Sequence, residues 1–82
     1  MIDYPIVVVE WEDITSNTEP WLCLAEALEL KPARMTTIGW LIADNEDSII
    51  VASSLGDEKE VGDVNCIPKS VIKTKRTVAP SK

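Results

Sequence analysis

MTTIGWLIADNEDSIIVASS, from Met35 to Ser54, reads as two strands joined by a tight acidic turn. In the first arm Ile38, Trp40 and Ile42 alternate with Thr37, Gly39, Leu41 and Ala43, the period of two that a strand imposes on its side chains. The second arm, Ser48 to Ser54, is apolar on both sides at Ile49, Ile50 and Val51. Between them Asp44-Asn45-Glu46-Asp47 supplies residues that tolerate turn geometry and stay solvated, so the arms fold back as an antiparallel hairpin. The other elements add to this hairpin.

Upstream, Tyr4 to Trp11 (YPIVVVEW) is the first strand, because the β-branched run Ile6 to Val9 is stiff at χ1 and favours extended backbone. Its unbroken apolar character predicts cover on both faces. The stretch from Thr15 to Pro20 is made of turn and cap residues and reads as a loop. From Trp21 to Leu30 (WLCLAEALEL) helix formers dominate, with Thr18 as cap and Lys31-Pro32 as the stop. Trp21, Leu24 and Leu28 then form a stripe expected to pack on the sheet.

Downstream, Leu55 to Gly62 (LGDEKEVG) is a longer polar connection, and Val64 to Ile67 a short fourth strand. Pro68 stops its ladder, Lys69-Ser70 allows one tight turn, and Val71 to Val78 (VIKTKRTV) alternates apolar and basic residues as a half-exposed fifth strand. Five strands and one helix predict a mainly β fold, a small, bent, partly open barrel spanning residues 1–78, with a frayed tail at 79–82.

Eighty-two residues make one small domain, and no apolar run approaches the roughly 18 residues of a membrane span. Without a basic-then-apolar leader, an intracellular location is the expectation. Cys23 and Cys66 are too few for a disulfide scaffold and are expected as buried small hydrophobes. A net charge of −6 argues against coating DNA or RNA. All fourteen carboxylates fall between Asp3 and Asp63, while Val64 to Lys82 holds Lys69, Lys73, Lys75, Arg76 and Lys82 and no acid. That basic strand either neutralises acids within or between subunits or leaves a local phosphate site on an acidic body.

The absence of histidine removes the commonest general base and metal ligand, and neither glycine-rich phosphate loop is present. The acidic groups lie in turns and strand ends, without the spacing of a calcium loop. An enzyme is not expected, nor a cofactor or metal. Binding has better support, because the aromatic content is almost all tryptophan: Trp11, Trp21 and Trp40. Core packing is the ordinary role of each singly, yet Trp11 and Trp21 flank the polar loop from Glu12 to Pro20, where a half-covered indole can stack on a base.

Ile67-Pro68-Lys69-Ser70-Val71 resembles the turn that joins the fourth and fifth strands of SH3-type barrels. The helix between strands one and two departs from that pattern, and with Tyr4 the only tyrosine the ligand groove of signalling SH3 domains is missing. The resemblance therefore implies topology and not proline-rich peptide binding. Over the whole chain, Val9-Glu10-Trp11-x-Asp13, Ile38-Gly39-Trp40 and Ile67-Pro68-Lys69 resemble small accessory proteins of tailed bacteriophages. That resemblance implies action in the cytoplasm of an infected bacterial host. Some such proteins are sponges, homo-oligomers that sequester a cyclic di- or oligonucleotide immune signal without cleaving it. The corresponding pocket would draw on Trp11, Trp21, Arg34 and Lys69, with Ser16, Asn17 and Thr18 as hydrogen-bonding groups. Two other classes remain: an acidic module that inhibits or recruits a host protein, and a structural component of a phage assembly.

Overall fold

The central hairpin is formed as its sequence pattern requires. In the computed structural model of the chain, which describes residues 4–78, β2 (Ala33–Asp44) and β3 (Ser48–Leu55) pair antiparallel around a turn closed by a 2.8 Å bond from the Asn45 N–H to the Ser48 carbonyl. β1 (Ile6–Asp13), β4 (Val61–Pro68) and β5 (Ile72–Val78) complete one five-stranded antiparallel sheet in the order β4-β3-β2-β1-β5. That order places β1 between β2 and β5. β4 and β5 are the sheet's two edges and form no ladder with each other. The tail expected to fray, 79–82, lies outside the described residues.

β2 serves two neighbours. Its first part pairs with β1, from Ala33 opposite Asp13 to Trp40 opposite Ile6, and its end pairs with β3, from Trp40 opposite Ala52 to Asp44 opposite Ile49. The register shifts between Leu41 and Ala43, an extra residue that bends the strand and increases its twist. Bending folds the inward side of β1 over that of β3. Val7, Val9, Ile49, Val51 and Ile67 close into one buried cluster, flanked by the half-buried Trp11, Leu41, Val71 and Ile72. Each fully buried aliphatic side chain contributes about 1.5–3 kcal/mol. So few of them leave a small domain little reserve.

Several boundaries differ from expectation. β4 starts at Val61 rather than Val64, which shortens the polar connection to a hairpin turn closed by the Gly56 N–H bonding the Glu60 carbonyl at 2.7 Å. Lys59 occupies the left-handed region there, at φ 64°. A single 3₁₀ turn, η1 (Lys69–Val71), precedes β5, so the last strand begins at Ile72. Cys23 and Cys66 are both exposed, not buried. Cys66 lies on an edge strand with no neighbour on one side, and Cys23 lies at the start of the helix, away from the core.

The helix is the largest departure. Only Leu24–Ala27 is helical (α1), Cys23 stands at its N-cap position without a side-chain bond, and Thr18 does not cap it. Leu24, Leu28 and Trp21 are 73%, 78% and 91% exposed, and α1 makes no substantial contact with any strand. Geometry supplies the reason. Asp13 and Ala33 face each other in the β1–β2 ladder, so residues 14–32 leave the sheet and return to the same point as an arm. A lone helical turn gains too few hydrogen bonds to extend itself without packing. The radius of gyration, 16.5 Å, exceeds the roughly 12 Å of a close-packed chain of this length, consistent with a projecting arm.

At Gly39 the backbone of β2 runs close against that of β3 at Ala52. A Cβ there would collide with the backbone carbonyl of Ala52, which cannot rotate away, and crowd a methyl of the fully buried Val51. Gly39→Ala is expected to destabilise the fold by about 1–3 kcal/mol or more, read as a lower denaturant midpoint. An unchanged midpoint would show that β2 and β3 can separate without harming the core.

Candidate functional site

Asp44 ends β2 just beyond the bulge, at the mouth of the turn to β3. Two cations reach it from elsewhere in the chain. The Lys69 ammonium lies 2.6 Å from Oδ1 and the Lys75 ammonium 3.0 Å from Oδ2. Lys69 is held by its own backbone, whose N–H donates to the Asp47 carbonyl at 2.8 Å. Lys75 stands opposite Val9 in the β1–β5 ladder and so shares the inward side of the sheet. The expectation that the basic strand neutralises acids of the same chain is met here, and again where Lys73 lies 3.3 Å from Glu12.

Lys69 and Lys75, with Ile49 and Ile72, line a hollow of about 250 Å³. Two ammonium groups face one carboxylate, which leaves a local excess of positive charge on an acidic protein. Each ammonium carries three N–H donors, and Asp44 takes one from each, so further donors remain for solvent or ligand. The Lys69 hydrogen bond first, and then that of Lys75, hold the Asp44 carboxyl below its usual value. All three groups are a third or more exposed, so the pairing adds little to stability and is open to competition by another anion.

The residues singled out from sequence do not converge. Lys69 lines the hollow. Trp11 is half-buried against the core, its indole N–H donating to the Thr37 hydroxyl at 2.9 Å, and its ladder neighbour on β5 is Ile72, one wall of the hollow. Trp21 is on the arm, as are the exposed Ser16, Asn17 and Thr18. There the Asn17 side-chain carbonyl accepts from the Glu19 N–H at 2.9 Å, and the Thr15 hydroxyl donates to the Lys31 carbonyl at 2.8 Å. Arg34 is exposed on β2, opposite Glu12. Within one copy these seven residues thus fall at separate places: Lys69 at the hollow with Trp11 beside it, Trp21, Ser16, Asn17 and Thr18 on the arm, and Arg34 on β2.

Lys75 and Asp44 were missed. The alternation of VIKTKRTV contains Lys75, but only the β1–β5 register and the bulge in β2 bring it to Asp44. A second hollow of about 200 Å³ lies at the arm's base, lined by Glu12, Asp13, Ile14, Pro32, Ser70 and Val71. Among the described residues no group of three His, Cys, Asp or Glu is placed to hold a metal ion, and no helix is long and apolar enough to cross a membrane. Comparison of the chain with protein families, curated proteins and solved structures found no match.

Two outcomes follow from this geometry. In an NMR pH titration the Asp44 carboxyl is expected to titrate below the ordinary aspartate midpoint of about 3.9 and to return toward it in Lys69→Ala and, less fully, in Lys75→Ala. Because the folded-state value is depressed, the pairing stabilises the fold fully above the unfolded value and loses that contribution as pH falls through the folded one. An Asp44 midpoint unmoved by either substitution would show that the contacts do not persist in solution. Trp11→Phe, which removes the indole donor from Thr37, is expected to lower stability by about 0.5–1.5 kcal/mol in chemical denaturation.

Proposed function

We propose that this protein binds a small phosphodiester ligand, a cyclic di- or oligonucleotide, and sequesters it without transforming it, as an accessory protein of phage type. The observation that supports the reading is the hollow in which Lys69 and Lys75 share Asp44 between walls formed by Ile49 and Ile72. A phosphodiester can take the unused ammonium donors or compete with Asp44 for them. The apolar walls offer contact to a base or ribose. At about 250 Å³ the hollow is smaller than the 300–1,000 Å³ of typical ligand sites. It therefore suits one phosphate and its neighbour, with a second copy supplying the other half in a homo-oligomer.

A second reading, an acidic module that engages a basic surface of a host protein, draws on the β3–β4 turn. Asp57, Glu58 and Glu60 are exposed there and have no ion pair among the described residues. With three carboxylates against Lys59 the turn is net negative, which favours fast, salt-sensitive association with a cationic partner.

Thermal unfolding with a panel of cyclic nucleotides separates the two. A ligand at a hundred times its dissociation constant adds about 2.7 kcal/mol, which for a domain of this size raises Tm by more than about 10 °C. The nucleotide should be recovered intact by chromatography, and Lys69→Ala with Lys75→Ala should remove the shift. No shift with any nucleotide at saturation would overturn the sequestration reading in favour of the acidic module.

A further inference from the structure

We propose that the arm, residues 14–32, of one copy lies across the outer face of β5, β1 and β2 of a second copy, in a reciprocal dimer. The arm exposes Ile14 at 83%, Trp21 at 91%, Leu24 at 73% and Leu28 at 78%, and its own sheet does not cover them. Single exposed apolar residues are ordinary, but this many on one short projection make a contact surface.

The receiving face follows from the register. Val7 and Val9 point into the core, so Ile6 and Val8 point outward. Beside Ile6 the ladders place Val78 on one side and Trp40 on the other. Beside Val8 they place Arg76 and Ile38. Ile38 is 58% and Val78 37% exposed, so the end of this three-stranded face around Ile6 and Val8 is largely apolar and open.

Charge selects the arm-to-face contact over its rivals. Residues 13–32 carry Asp13, Glu19, Glu26 and Glu29 against Lys31 alone. Two arms packed on each other would set like charges together, and an anionic lipid surface would repel the arm. The outer face instead presents Arg76, which has no ion pair among the described residues, while Glu10, next along β1 on the same side, already accepts the Thr74 hydroxyl. Glu26 and Glu29, which alternate in sequence with the exposed Leu24 and Leu28, are placed here to meet it.

Area agrees. An exposed indole supplies about 150–250 Å², and each aliphatic side chain about 100 Å², so one arm offers roughly 500 Å². Counting the covered face as well, one arm-to-face contact approaches the roughly 1,000 Å² that a specific interface needs, and a two-fold exchange makes two of them. The contact uses none of the residues lining the lysine hollow and needs no nucleotide, so it stands apart from the sequestration reading.

Sedimentation velocity of the full chain, without nucleotide, from low micromolar to several hundred micromolar tests the proposal. The wild type is expected to dimerise. Trp21→Ser with Leu24→Ser should give a monomer over the same range, with unchanged circular dichroism, since both side chains are exposed in one copy. Arg76→Glu should weaken the dimer by at least about tenfold, and adding Glu26→Arg and Glu29→Arg to the same chain should restore it. A wild-type monomer at every concentration, a Trp21/Leu24 variant that still dimerises, or a charge exchange that fails to restore association would each overturn it. Capture of the monomer on lipid vesicles would assign the arm to a membrane surface and overturn it as well.

Discussion

The fold depends on β2 bending. Val7 and Val9 belong to β1, and Ile49 and Val51 to β3, two strands separated in the sheet by β2 itself. In a flat sheet those side chains would stand on one surface facing water. They become a core only because β2 turns at the irregularity between Leu41 and Ala43 and carries β1 over β3, with Gly39 letting the backbones approach. Ile67 of β4 completes the cluster from the far side of β3. A core of this size has no spare layer, so the remaining polar features sit at its margin.

That margin sets the electrostatics. The same bend brings Asp44 to the rim, where the 3₁₀ turn delivers Lys69 and β5 delivers Lys75. An acidic chain thereby holds a small region in which cations outnumber anions. The carboxylate orients the ammonium groups without burying them, which preserves their attraction for an incoming anion at little desolvation cost. Elsewhere β5 is tied to acids of β1, Lys73 to Glu12 and the Thr74 hydroxyl, which donates to Glu10 at 2.6 Å. The hollow and the arm divide the chemistry of the molecule between a fixed polar rim and a projecting apolar segment.

The arm also accounts for the way the tryptophans are used. Trp11 and Trp40 lie half-buried on opposite sides of the β1–β2 ladder, one against the core and one outward beside Ile6. Trp21, with the same side chain, is almost wholly exposed because the segment that bears it has no surface of its own to cover. Identity of residue does not decide burial; the path of the chain does. A short connection between β1 and β2 would have been enough to join them, so the apolar content of residues 14–32 is surplus to the needs of one copy.

Period-two alternation around Trp40, the β-branched run from Ile6 to Val9 and the acidic turn at Asp44–Asp47 suffice to specify strands and the central hairpin, because those signals act between neighbours in the chain. The basic alternation of VIKTKRTV likewise marks a half-exposed strand, which the structure places at the sheet's edge. Lys69 was legible as a candidate for the same reason: a cation fixed next to Pro68 at the end of a strand. Helix propensity and a Trp21–Leu24–Leu28 stripe, by contrast, describe what the arm could bury and not whether anything lies within reach. Only the tertiary structure decided that Asp13 meets Ala33, which sends the arm away from the sheet, and that a bend in β2 brings Asp44, Lys69 and Lys75 together. Both are long-range consequences of register and strand curvature, and no local pattern of residues encodes them by itself.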